Sequence, residues 1–247
     1  MSRLAKDIGI ALPEQGSGRP LSRPRSLLSA IFDQATDKTG RLAKDISFAH
    51  LRRRPDRPMS LASRSWLLAS SPGLRLMLVH RIARWLYLKR QQDNDGRKWL
   101  WRSLLIPLGV LKLTLIKINT KSDIANDCEI EGGVLFSDQG NIIFGARKTG
   151  AGTVIGTRVT VGMSHHRGRP EIGRNVWIGS DCVVYGAISI GDGATLMPGT
   201  VLTKSIPGGV VMRGNPAQLV LRNFDNSELR TLRDADAMYY LKTNVGG

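Results

Sequence analysis

A chain of 247 residues can hold one large domain or two modest ones. With 41% hydrophobic but only 6% aromatic residues, and with 27 glycines, it is composed for small aliphatic interiors and many tight turns. Two cysteines, Cys128 and Cys182, exclude a disulfide framework, and no signal peptide opens the chain, so a reducing cytoplasm is the expected compartment.

The net charge of +16 belongs to the front half. Residues 1–122 carry 24 Lys and Arg against 8 Asp and Glu, whereas residues 123–247 carry 12 of each. Residues 1–70 read as a basic, Arg- and Pro-rich, partly disordered arm, with one short helix at about Leu27 to Phe48. A solvated arm and an arm drawn to an anionic membrane surface both fit that charge; nucleic acid is not the expected partner. No later feature calls on residues 1–60, so their deletion is expected to leave folding intact.

Residues 71–122 read as a helical region. Ser70 or Ser71 can cap a helix, Pro72 suits its first turn, and Leu74, Leu78, Ile82, Trp85 and Leu86 recur at helical spacing. After the turn Asp93–Gly96, a second helix is expected from Trp99 to Ile118. Arg102, Lys112 and Lys117 interrupt it, and its clean run holds Pro107 and Gly109, which argues against a membrane span of about 20 apolar residues.

From Ile124 the period becomes six. Aliphatic residues lead successive units at Ile124, Ile130, Ile143, Ile155, Val161, Ile172, Ile178, Val184, Ile190, Leu196 and Leu202, glycine or another small residue usually follows, and position five is small or β-branched. Two units break the period, the seven-residue FSDQGNI and the long VGMSHHRGRPE. Neither a helix nor an ordinary strand uses a strict six-residue period; a triangular solenoid does, each unit giving one short strand and one corner. Stacked coils would pair backbone to backbone at about 4.8 Å. The predicted fold is mainly β: a left-handed parallel β-helix over residues 123–221, preceded by the helical region and the basic arm, and followed by a helical tail at 222–247.

The stretch from Leu74 to Leu221, about 60% of the chain, resembles the hexapeptide-repeat acetyltransferases, in particular the serine acetyltransferases and polysaccharide-modifying relatives of the colanic-acid type. Three segments carry the likeness: VHRIARWL (79–86) before the repeat, the seven-residue unit, and the ending IPGGVVMRGNPAQLV (206–220). The resemblance implies acetyl-CoA as co-substrate, a hydroxyl acceptor and a homotrimer, with a dimer of trimers open. It also implies a CoA groove along the later coils, with Gly186, Ala194 and Lys204 at matching positions. Two departures concern chemistry. Asp138 stands where the family carries its catalytic histidine, and Arg169, before Pro170, replaces a second one. These departures speak against L-serine as acceptor and favour a sugar of surface-polysaccharide synthesis.

Acetyl transfer from a thioester to an alcohol needs a base for the hydroxyl and a donor for the oxyanion. His165 and His166 lie on the long excursion and are the candidate bases. Asp138 either orients one of them or acts as base itself, or is simply a turn residue before Gly140. Arg167 and Arg169 are candidate contacts to an anionic substrate, and Lys204 to a CoA phosphate. No metal is expected, because adjacent His165 and His166 cannot easily share one ion and the coils hold no third histidine. A catalytically inactive scaffold remains the alternative of another class, favoured by Asp138.

Overall fold

The structure, a computed structural model, describes residues 40–53, 59–92, 121–163, 168–232 and 234–245 together with Val110. The expected helices at Leu27–Phe48 and Trp99–Ile118 therefore lie outside the described residues, the first in large part and the second almost wholly. Among the described residues no helix is long and apolar enough to cross a membrane.

Among the described residues, fifteen short strands form the three sheets of a parallel β-solenoid. Sheet A stacks β1 (Asp123–Ile124), β4 (Ile143–Phe144), β7 (Thr160–Gly162), β10 (Val183–Tyr185) and β13 (Val201–Leu202). Sheet B stacks β2 (Glu129–Ile130), β5 (Lys148–Thr149), β8 (Glu171–Ile172) and β11 (Ser189–Ile190). Sheet C stacks β3 (Leu135–Phe136), β6 (Val154–Ile155), β9 (Trp177–Ile178), β12 (Thr195–Leu196) and β14 (Val211–Arg213), and ends on the antiparallel β15 (Gln218–Leu221). The inward residue of each strand stacks on its counterpart one coil away: Ile124, Phe144, Val161, Val184 and Leu202 in sheet A, and Phe136, Ile155, Ile178, Leu196 and Met212 in sheet C. All ten belong to one apolar core. This is the six-residue period converted into burial.

The structure corrects one register. Ile143 was placed inward, but it is 61% exposed, while Ile142 and Phe144 on either side are buried. Eight residues separate inward Phe136 from inward Phe144, and five separate Phe144 from inward Thr149. Because strand side chains alternate, a slip of one residue exchanges core for solvent. Phe144→Ala should therefore cost about 3–5 kcal/mol in denaturant unfolding, and Ile143→Ala within about 0.5 kcal/mol of nothing in the isolated chain.

The three outer faces differ. Sheet B presents the charged row Glu129, Lys148, Glu171 and Ser189. Sheet A presents Asp123, Ile143, Thr160, Val183 and Val201 in register, with Asp123 at its end the one charge in the row. Sheet C is covered: Leu135, Val154, Trp177, Thr195 and Val211 are all buried. Helices from both ends of the chain pack on this side. They are α1 (Arg41–Arg53), α2 (Leu61–Ser70) and α3 (Pro72–Gln92) ahead of the solenoid, and α4 (Ser227–Thr231) and α5 (Asp234–Asn244) after it.

Helix α3 has the expected start. Ser71 accepts from the Leu74 N–H at 3.4 Å, and Pro72 is the first helical residue. Its buried face is Leu74, Met77, His80 and Ala83; Ile82, expected on that face, is 42% exposed. Gly73 is required where the first turn meets β3, since a Cβ there would lie 2.2 Å from the Phe136 carbonyl oxygen.

Residues 41–53 were read as arm, yet they form α1 and are built into the fold. Asp45 is fully buried. Its Oδ2 accepts from Arg81 Nε at 2.8 Å and its Oδ1 from the Gly133 N–H at 2.8 Å, joining α1, α3 and the first coil. Burial pushes the Asp45 carboxyl above its ordinary range, while Arg81 and the Gly133 N–H pull against that. At the other end, the Asn226 amide donates to the carbonyls of Asn175 and Gly193, and Arg230 donates to Asn226 Oδ1 and the Gly152 carbonyl, fastening α4 to the corner between sheets B and C.

Candidate functional site

The corner after β3 carries Asp138 toward the helices. Its Oδ1 accepts from the Ser71 hydroxyl at 2.5 Å and from the Gly73 N–H at 3.1 Å, and its Oδ2 is paired with Arg53. Gly73 lies in the first turn of α3, where unsatisfied N–H groups and the helix dipole favour an anion. Asp138 thus caps α3 from another element and ties α1 to the same point. A carboxylate offers about four lone-pair positions, and three are taken. Asp138 stands in the turn after β3, and its carboxylate reaches outward to all three partners.

Beside this junction lies a cavity of about 530 Å³, bounded by α1, α2, the start of α3 and the edge of the first coil. Trp66, Arg52, Arg53, Ser71 and Asp138 contribute its polar or aromatic wall, and Leu74, Met77 and Phe136 its apolar one.

The second feature is the excursion between β7 and β8, at the corner between sheets A and B. His165, His166 and Arg167 lie outside the described residues. Arg169, at its exit, donates to Asp127 Oδ2 at 2.6 Å, bridging back to the β1–β2 corner. That hydrogen bond, outweighing the opposing effect of burial, holds the Asp127 carboxyl below its ordinary value. In this arrangement Arg169 anchors the loop end. Gly186 and Lys204 follow at the same corner on the next two coils, with the Gly186 N–H on the Gly162 carbonyl at 3.3 Å and Lys204 exposed. Ala194 is elsewhere: it is fully buried in the core, at the corner between sheets B and C. Its side chain offers no surface to a nucleotide.

Within one chain, then, the structure brings Arg169, Gly186 and Lys204 to one corner and sets Asp138 on another, with sheet A between. Sequence reading missed Arg53, Ser71 as a partner of Asp138, and the cavity residues Arg52 and Trp66. Arg53 is 85 residues from Asp138 and sits in an arginine run that reads only as charge. Other titratable groups offer less chemistry. His50 and His80 are buried in α1 and α3. Burial pushes the Cys128 thiol up to about 11 and the Cys182 thiol to about 12, which leaves both protonated and inert. Among the described residues no group of three His, Cys, Asp or Glu is placed to hold a metal ion.

Residues 123–221 form a parallel solenoid whose inward residues recur at a period near six, and part of it matches a hexapeptide-repeat family. Residues 169–204 match the family model described as bacterial transferase hexapeptide (six repeats). The galactoside O-acetyltransferase of Escherichia coli K12 is 38% identical over 71 residues, which is 29% of this chain and 30% of that protein. Serine acetyltransferase 2 of Arabidopsis thaliana is 29% identical over 167 residues, 67% of this chain and 48% of the relative. The chain therefore spans from under a third to about half of these relatives' length. Among solved structures, the serine acetyltransferase of Vibrio cholerae O1 biovar El Tor N16961 superposes with a TM-score of 0.58 at 25% identity, covering 76% of this chain and 67% of that one.

Proposed function

We propose that the protein is an acetyl-CoA-dependent O-acetyltransferase acting on a sugar hydroxyl in surface-polysaccharide synthesis. The observation that carries this reading is the corner between sheets A and B, where the His165–His166 excursion, Gly186 and Lys204 follow one another on three successive coils. In this reading an extended nucleotide runs along that corner, with Lys204 as the phosphate partner. A loop imidazole takes the acceptor hydroxyl proton as the oxygen attacks the thioester carbonyl. A corner N–H receives the oxyanion, and the CoA sulfur leaves with the proton returned by the imidazolium. No covalent enzyme intermediate is needed.

The working unit in this proposal is a homotrimer. Past Asp123, the outer row of sheet A (Ile143, Thr160, Val183 and Val201) is a face suited to a second copy, and a neighbouring chain is the means of bringing one subunit's loop to another's Asp138 corner. Attraction of the basic arm to an anionic membrane belongs to the same proposal and fades as salt shortens the screening length.

The sugar reading is supported by the galactoside O-acetyltransferase match and by the two missing histidines; the solved serine acetyltransferase favours L-serine as the second reading. Initial rates of thiol release from acetyl-CoA with neutral sugars, sugar acids and L-serine separate them. A sugar should support the fastest rate. Preference for serine would replace the acceptor, and no rate with any hydroxyl would leave a scaffold.

A further inference from the structure

We infer that the outer surface of α2 and α3 docks on an anionic lipid bilayer, with Leu61, Ile82 and Leu88 at the acyl boundary and Arg64 on the lipid phosphates. The inference rests on the proposed attraction to an anionic membrane and names the folded surface that supplies it; it does not need the acetyl transfer.

The helical layer ahead of the solenoid carries exposed charge of one sign. Helix α1 holds four Lys and Arg, α2 one and α3 five, against a single carboxylate, Asp45, which is fully buried on Arg81. No carboxylate of these three helices reaches solvent. Elsewhere the signs are mixed: the outer row of sheet B sets Lys148 between Glu129 and Glu171, and Asp236 is exposed on α5. A surface of one sign draws an anionic partner and repels the same surface of a second copy.

Charge alone fits any polyanion, and the apolar residues decide among them. Helix α2 buries only Leu67, and it leaves Leu61 79% exposed with Arg64 exposed one turn on. On α3, which has no acidic residue, Ile82 and Leu88 are exposed. Such side chains gain nothing from the phosphates of a nucleic acid or the carboxylates of a polysaccharide. At the headgroup level of a bilayer they enter the acyl boundary while the guanidinium stays with phosphate, which is how an interfacial helix binds without crossing.

Co-sedimentation of the full chain tests this, with vesicles of phosphatidylcholine alone and of phosphatidylcholine and phosphatidylglycerol in equal parts. Binding to the anionic vesicles should be at least about tenfold tighter and should weaken with salt. Leu61→Gln should lower it at least about tenfold and Arg64→Gln about fivefold, with Arg64→Lys close to the parent. Both residues are exposed, so the denaturation midpoint and the rate with a soluble sugar should not change. Arg19→Gln, Arg23→Gln and Arg25→Gln combined should leave most of the binding; its complete loss gives the binding to the arm and overturns the assignment. Equal binding to both kinds of vesicle overturns it too. Binding that Leu61→Gln leaves intact and duplex DNA displaces belongs to a soluble polyanion and has the same consequence. Self-association by light scattering in place of vesicle binding gives the face to a second copy, again against the assignment. Acetyl transfer without vesicle binding overturns the surface alone. Vesicle binding without any acetyl transfer overturns the acetyltransferase reading and leaves the surface standing.

Discussion

Alanine at His165 or at His166 is expected to lower turnover by at least about 10²-fold, the low end for loss of a general base. Asp138→Asn behaves differently in this account. The carboxylate already accepts from Ser71 and Gly73 and is paired with Arg53, so it is occupied in holding α1 and α3 to the first coil. Asparagine can keep the two bonds at one oxygen, but its amide would face the guanidinium, donor against donor. The expected result is a loss of about 1–3 kcal/mol in unfolding free energy with a moderate fall in rate. Full activity in both histidine variants, with Asp138→Asn dead at unchanged stability, would make the carboxylate the base.

Asp45→Ala is expected to destabilise the protein by about 3–5 kcal/mol, the range for breaking a buried ion pair from one side. Asp45 is fully buried, the Arg81 side chain is only 12% exposed, and removing the carboxylate also leaves the Gly133 N–H without its acceptor. Truncation of residues 1–60 removes Asp45 and Arg53 together with α1, so it should lower the denaturation midpoint at least as far. This reverses the expectation that the repeat needs nothing ahead of it. An unchanged midpoint in the truncated chain would show that α1 contributes nothing to the folded body.

The solenoid was legible because its signal is periodic and local: each unit declares its inward residue within six positions. Legibility failed where the period broke. Ile142 and Ile143 are both aliphatic, so a seven-residue and an eight-residue unit fit equally well until Phe144 is seen in the core. Helix α1 was legible only in part. The helix expected to end at Phe48 overlaps it, but its built-in role was hidden. Its buried set mixes Asp45 and His50 with Ile46, Phe48 and Ala49, and polar residues satisfied by distant partners interrupt the hydrophobic stripe. The candidate site divides in the same way. Asp138 stood out by its place in the repeat, but its partners Arg53, Ser71 and Gly73 lie 85, 67 and 65 residues away, and no local pattern announces such contacts. The same holds for Asn226, whose bonds reach back to Asn175 and Gly193.

The most direct test of the account is a single-turnover reaction of the full chain with acetyl-CoA and an excess of sugar acceptor, following the free thiol and the acetylated sugar together. The two should appear at the same rate and in equal amounts, and both should slow in the His165 and His166 variants. Thiol released without acetylated sugar, or neither product from protein shown to bind acetyl-CoA, would contradict acetyl transfer to a sugar as the activity of this solenoid.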